Sequence, residues 1–337
     1  MSGNPTTLPA AGPLAGPGKG AARSPVARRL LRRLEVRMLA LALVIAVVLS
    51  LLSPYFLTRT NLFNILDQSV VVGIVAVGMT FVILTGGIDL SVGSVAGLCG
   101  IVLGLALQHV PIPVGIALAA GAGGLIGLVS GLLIAYFGLA AFVVTLGMMA
   151  IARSLAYIAS GQTAISNIPA GLSDIVYTSI LGVPGNVVFL LALYALAFAY
   201  LTYAKGGRVI YAVGSNVEAA RAAGLPVLAY SVLPYVVSGA LSAVAVTFSV
   251  AQLLSADPLM GNMLELDAIA AVVIGGASLY GGRGTILGTL IGVLIMVMIR
   301  NGLNLLGVSP FWQGSAIGTI IILALLVERL VSARAAR

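Results

Sequence analysis

The chain has little of what water-soluble enzymes are built from, and each shortage excludes something. Only 8% of its 337 residues are charged, against about 25% in a soluble domain, so a water-soluble globule is excluded. There is one cysteine, Cys99, in an apolar run, and no disulfide or thiolate-metal framework can form within the chain. The one histidine, His109, precedes VPIPVG and reads as a turn residue. A single histidine and a single cysteine, far apart, supply neither a nucleophile with its base nor a metal centre. Catalytic and metal-binding residues are therefore not expected. Two lysines are present, Lys19 in GPGKGA and Lys205 in AKGGR. Neither completes G-x-x-x-x-G-K-[ST], the loop whose backbone amides cradle nucleotide phosphates, so the chain does not hydrolyse ATP by itself.

What is present is oil. Apolar residues make up 60% of the chain and the mean hydropathy is +1.16. At about 20 apolar residues per crossing, such a chain has room for about ten membrane helices. A β-barrel is excluded because the apolar segments do not alternate. The reading is an all-α, polytopic membrane bundle with spans near 36–57, 64–86, 90–109, 113–136, 140–159, 186–204, 228–253, 266–280, 284–305 and 313–329. Residues 1–35, rich in Pro and Gly and then in arginine, read as a disordered, basic cytoplasmic tail. The membrane domain then covers 36–330, and 331–337 is a short cytoplasmic tail. The apolar run from Met38 to Thr58 is too long for a signal-peptide core and should stay as the first span. Cytoplasmic loops carry the excess of Lys and Arg. With both termini inside, only Arg59, Arg153 and Arg300 of the 17 basic residues fall toward the other face. Snorkelling accounts for Arg153 and Arg300, and Phe311 and Trp312 sit where an interfacial aromatic anchor belongs.

Between the sixth and seventh spans lies GSNVEAARAAGLPV, residues 214–227, which reads as a small surface helix. Ser215 and Glu218 make an S-x-x-E capping box, Ala219 to Ala223 favour helix, and Gly224 before Leu225-Pro226 is a stop. Two turns are marginal alone in water, so a partner should pack against them, and the small face of Ala219 and Ala220 permits close approach. A transporter without a phosphate loop uses an ion gradient or borrows an ATPase. Asp89 is the sole acid this reading places away from the outer loops and cytoplasmic flanks, which disfavours ion coupling. A short capped helix shown to the cytoplasm is what a borrowed ATPase could grip.

Two glycine-rich stretches stand out. In TGGIDLS, Gly86 and Gly87 permit a helix break and Ser91 is placed to cap the renewed helix. Broken backbone at membrane depth is tolerated only inside protein or along a water-filled path. Asp89 marks a functional position because a charge left in lipid costs several kcal/mol. It is read as a gate or cap, with Arg283 as a candidate partner, and with Thr85 and Ser91 it is a candidate for a transient solute path. IGGASLYGGRGTILG echoes the first stretch, aligning Gly275-Gly276 with Gly86-Gly87 at a separation of 189, as in transporters built from internal repeats. On the outer side, 160–186 is too polar and proline-broken to span and 255–267 reads as a second exposed patch, and their acids Asp174, Asp257, Glu265 and Asp267 are candidates for steering a basic partner surface.

These motifs carry a resemblance. GSNVEAARAAGLPV resembles the EAA-type coupling loop of ABC importer permeases. LTGGIDLSVGSVAGL (84–98) and AVVIGGASLYGGRGTILGTLIGVLI (271–295) are similar to the glycine-rich stretches of the ribose and related sugar permeases, and the likeness runs over roughly 36–330. The resemblance implies a multi-pass permease subunit of the bacterial inner membrane, without enzymatic activity or bound cofactor. It implies a second permease copy or paralogue, surrounding lipid, and a cytoplasmic ATPase partner that binds ATP and Mg. It also implies a periplasmic or lipid-anchored sugar-binding protein, and no nucleic acid. The coupling role falls on Ser215, Glu218, Ala219, Ala220 and Gly224. A ribose-like monosaccharide is the expected cargo. A branched-chain amino acid, nucleoside or autoinducer permease, or an ion-coupled transporter, is the alternative.

Overall fold

The structure is a computed structural model that describes residues 34–180, 182–309, 312–319, 322, 323 and 326. The expected tails at 1–35 and 331–337, Phe311 and most of the second half of the tenth span lie wholly or largely outside the described residues. In chain order the helices are α1 (Leu34–Leu52), α2 (Arg59–Leu84), α3 (Val92–Ala106), α4 (Ile112–Ala135), α5 (Ala141–Ser160), the single turn α6 (Asp174–Tyr177), and α7 (Gly185–Tyr203). After these come α8 (Lys205–Ser215), α9 (Val217–Ala222), α10 (Val227–Leu253), α11 (Leu264–Ile274) and α12 (Ile286–Leu305). A further helical run covers 312–319. A two-stranded ribbon, Ser179–Ile180 against Val183–Pro184, interrupts the loop before α7.

Seven of these helices are long and apolar enough to cross a membrane: α1, α2, α4, α5, α7, α10 and α12. The all-α polytopic bundle is therefore as the sequence predicts. Two expected spans are shorter than expected. α3 has 15 residues and α11 has 11, about 22 and 16 Å at 1.5 Å per residue, against a hydrocarbon core of about 30 Å. Both begin or end at the glycine breaks and both are buried among other helices. Protein, not lipid, surrounds their ends, and this is the condition under which a broken helix survives in a membrane.

The core is built around α2, α3, α10, α11 and α12, with α1 at the periphery. α10 packs along α4 through glycines four residues apart. Gly123 and Gly127 lie against Gly239 and Tyr235, so close that an added methyl would overlap the facing backbone, and Gly131 packs tightly on Val232. Small residues at this spacing let helices approach without a hydrophobic drive, which lipid does not supply. Polar pairs fix α2 on α12. Asn61 and Asn301 exchange amide hydrogen bonds of 2.9 Å, and the hydroxyls of Thr80 and Thr289 lie 2.8 Å apart.

Candidate functional site: the coupling junction

The element between the sixth and seventh spans is two helices where the sequence predicts one. KGGR, expected to be loop, opens α8, which buries Gly206, Gly207, Ile210 and Val213 and leaves Lys205 and Arg208 exposed. The chain then turns at Asn216, whose extended backbone (φ −164°) ends α8 and starts α9. The Asn216 side-chain oxygen accepts from the Ala219 amide at 2.9 Å and is the N-cap. This corrects the capping box. Ser215 is the last residue of α8 and donates back to the Tyr211 carbonyl at 2.7 Å, while Glu218 pairs with Arg221 at 3.0 Å in solvent. The displaced cap was legible, because asparagine ranks with serine at that position.

The predicted stop holds. Gly224 has φ +73°, its amide donates to the Arg221 carbonyl, and the Leu225 amide donates to the Ala220 carbonyl, the two bonds that satisfy a helix C-terminus through a left-handed residue. Ala220 is buried, while Ser215, Glu218 and Ala219 are exposed. One face of α9 is thus seated on the bundle and the other is presented outward.

The two glycine stretches end α2 and α11 in the same way. Gly86 (φ +81°) donates to the Ile83 carbonyl and Gly87 to that of Val82; Gly276 (φ +89°) donates to Val273 and Ala277 to Val272. The equivalent residues are therefore Gly86 and Gly276, one step away from the alignment read in the sequence. Glycine composition hid this, since a left-handed C-cap needs one glycine and each stretch contains several.

These loops and the end of α8 meet. The Gly282 amide donates to the Leu84 carbonyl at 2.9 Å, and the Tyr211 hydroxyl donates to the Gly284 carbonyl at 2.9 Å. Gly214 lies directly on the Leu84 carbonyl and the Gly282 amide, where no methyl group fits. Apart from the Tyr211 hydroxyl, the junction joins backbone to backbone.

Asp89 lies beneath it, 2% exposed. One carboxylate oxygen accepts from the amide and hydroxyl of Ser91 at 3.0 and 2.6 Å, and the other accepts from the Ser238 hydroxyl on α10 at 2.8 Å. Ser91 makes no capping bond to α3; its side chain serves the carboxylate, and Arg283 is exposed and not a partner. Three neutral donors satisfy the buried carboxyl group by hydrogen bonding. The next loop bond runs from the Thr145 hydroxyl of α5 to the Ile88 carbonyl at 3.2 Å. Thr85, Gly86, Gly87, Asp89 and Ser91 are thus one compact turn braced by α5 and α10.

The four acids read as outer-surface groups separate at the opposite end of the bundle. Asp174 is exposed and Asp257 is half-buried, accepting from the Leu259 amide at 2.7 Å. Glu265 is half-buried against Gly93 of α3. Asp267 is 4% exposed and pairs with Arg300 at 2.8 Å, so it is not on the surface. The arginines do not snorkel: Arg300 takes that pair, and Arg153 donates to the carbonyls of Pro258 and Met260. The two outer segments touch through a bridge between Ile165 and Ala256. Asp67 was missed. It stands inside the expected second span, on α2, and accepts from Asn186 of α7 and Gln252 of α10. The rule that singled out Asp89, an ionisable residue within a span, applies equally to Asp67.

The branched-chain amino acid transport system permease component family matches residues 61–325. The chain is similar to the ribose import permease protein RbsC of Escherichia coli K12, 43% identical over 285 residues, covering 83% of this chain and 89% of that protein. It is 40% identical to the ribose import permease protein RbsC of Bacillus subtilis, over 85% of this chain and 89% of the other. It is 35% identical to the D-allose transport system permease protein AlsC of Escherichia coli K12, over 84% and 87%. No solved structure matches the chain significantly.

Proposed function

Because the chain belongs to the branched-chain amino acid transport system permease component family, we propose that it forms the translocation path of an ATP-driven importer whose cargo is a ribose-like monosaccharide. It is a multi-pass inner-membrane permease subunit without catalytic activity of its own, and ATP is hydrolysed by a separate subunit. The observation that carries the cargo is the likeness, over most of both chains, to proteins named for ribose and allose import. In this reading ATP and Mg bind on the partner ATPase, a binding protein delivers sugar at the opposite end, and a second permease subunit completes the path.

The topology proposed has ten crossings: α1 to α5, α7, α10, α11, α12 and the run that starts near 312, with both termini and the basic tail in the cytoplasm. It is supported by continuity. Alternating crossings put the loops 85–91 and 275–285 at the same end as α8 and α9, which is where the hydrogen bonds join them. The same path puts 161–184 and 254–263 together at the other end, where Ile165 meets Ala256.

The mechanism follows from the junction. Closure of the ATPase pulls on the exposed face of α9, held by Asn216 and Gly224. Since Gly214 abuts the Leu84 carbonyl with no side chain between, the pull passes to the ends of α2 and α11 together. Those ends are the glycine loops, so the displacement reaches the turn at Asp89 and its brace on α10. Exposed Asp174 and half-buried Asp257 remain candidates for meeting the binding protein.

The test is transport in liposomes that hold permease, ATPase and binding protein, with labelled pentoses, hexoses and leucine. Uptake of one monosaccharide that requires ATP and all three components is expected. Glu218→Arg or Gly224→Pro should abolish it while sugar binding to the isolated binding protein is unchanged. Leucine uptake in place of sugar, or accumulation without ATP, would overturn the reading.

A further inference from the structure

Beside the junction is a cavity of about 320 Å³, within the range of small-molecule sites, about 300–1,000 Å³. One wall is the gate turn, Thr85 to Gly87; the facing wall is α9 and the start of α10; Ile134, Ala135 and Ala141 at the adjoining ends of α4 and α5 add an apolar side. The mouth is exposed, formed by Val217, Leu228 and the Arg221 side chain, which is 63% exposed. The floor is Tyr235, 2% exposed.

Tyr235 is the informative group. Its hydroxyl takes part in no hydrogen bond among the described residues and is not sealed off from the cavity, so it is free to pair with whatever occupies that space. Gly87 keeps the hydroxyl clear, because a side-chain carbon at that position would overlap it. Ser231 adds a second hydroxyl on the same lining. The charge at the mouth is neutralised, since Arg221 already holds Glu218 with one of its terminal nitrogens. Such a lining does not select an anion. It suits a neutral polyol, whose hydroxyls both donate and accept.

We propose that this cavity binds a neutral monosaccharide of the cargo class from the side on which α9 is presented, and that the occupant slows transport by bridging α9 and the glycine turn. The proposal rests on the reading of the chain as a monosaccharide permease. An occupant that touches both walls favours the spacing in which they now stand, and a ligand shifts an equilibrium toward the arrangement it binds better. The pull on α9 must change that spacing, so sugar accumulated on the ATPase side acts as a brake. Cargo in transit has the same chemistry, and the experiment separates the two by the side of addition.

Liposomes are prepared with the ATPase facing outward and sugar-loaded binding protein enclosed, and ATP hydrolysis is followed as free ribose, allose or galactose is added outside. The rate of the wild-type complex falls several-fold with increasing outside sugar. Tyr235→Phe, which removes one oxygen and leaves the packing, raises the sugar concentration needed by about 2- to 10-fold, the equivalent of one hydrogen bond. Ser231→Phe, which fills the cavity, removes the inhibition. Direct binding of labelled sugar to the permease–ATPase complex without binding protein follows the same order. Inhibition or binding that is equal in wild type and both variants overturns the site, as does a wild-type complex indifferent to outside sugar. If enclosed sugar-loaded binding protein fails to stimulate hydrolysis in the wild type, the monosaccharide reading itself fails, a result distinct from the preceding ones.

Discussion

The two ends of the bundle are held by different means. At the coupling end the contacts are mainly backbone on backbone, Gly282 on Leu84 and Gly214 against both loops, with one side-chain bond from the Tyr211 hydroxyl to the Gly284 carbonyl. At the opposite end, individual side chains hold loop 254–263 and the helices beside it, Arg153 to two loop carbonyls and Asp67 of α2 to the amides of Asn186 on α7 and Gln252 on α10, with one backbone bridge between loops at Ile165 and Ala256. Leu254 and Met263, at φ +47° and +63°, bracket the second loop in the left-handed region that non-glycine residues seldom adopt, a cost of about 1–3 kcal/mol each. Packed backbone has nothing to reorganise and so passes on a displacement. Side-chain ties can open one at a time, which in the proposed importer would let the outer end admit cargo without unfolding.

The largest effect tests whether the outer end depends on its clamps. Arg300→Met leaves Asp267 buried without a cation, and removing one partner of such a pair costs about 3–5 kcal/mol. The lower figure is expected, because Arg300 is one-third exposed. Unfolding in detergent should shift accordingly, and Asp267→Asn combined with Arg300→Met should be milder than the sum of the two. An unchanged transition in the single variant would show that the pair is not structural.

Gly214→Val tests the coupling end. The branched side chain must push aside the Leu84 carbonyl and the Gly282 amide, an overpacking cost of about 1–3 kcal/mol. Uptake should be lost while ATP hydrolysis by the assembled complex persists, because the handle remains and the linkage is broken. Gly121→Ala, where nothing lies within 4 Å, should be neutral. Full uptake by Gly214→Val would erase the distinction between a rigid end and a clamped one.

How much of this was legible follows from the kind of signal involved. The long helices α2, α4, α5, α7, α10 and α12 were read to within a few residues, apart from the early start of α2, because length and hydropathy govern them. α3 and α11 were over-extended because hydropathy does not register a break surrounded by protein. α8 was missed because amphipathic residues after a span, KGGRVIYAVGS, look like loop until their apolar face is known to be covered. The junction itself was half legible: Gly86, Gly276 and Gly224 announce left-handed turns, but nothing local says that Gly214 touches Leu84, 130 positions earlier. Asp89 was found by its charge, while Ser238 and Tyr235, its neighbours from α10, carry no mark in an apolar helix.

A smaller effect separates the two readings of the cap. Asn216→Ala removes the side-chain acceptor of the Ala219 amide, worth about 1 kcal/mol, and should weaken association with the ATPase a few-fold without loss of assembly. Ser215→Ala should do nothing to α9, because that hydroxyl bonds within α8. Titration of detergent-solubilised permease with ATPase reads both, and equal losses would restore the serine to the cap.

The smallest effect lies where charge alone is at stake. Asp174 is exposed and Asp257 half-buried, both on the outer segments, and exposed charges act mainly on the rate of encounter. Reversing both to lysine should raise the binding-protein concentration needed for half-maximal uptake by a few-fold at low salt. Above about 0.5 M salt the difference should vanish, since the screening length is then under about 5 Å. Maximal uptake should stay the same, because neither carboxylate reaches the buried pair at Asp267 or the turn at Asp89. A change in the maximum that persists in high salt would mean that these acids belong to the clamp of the outer gate and not to its approach.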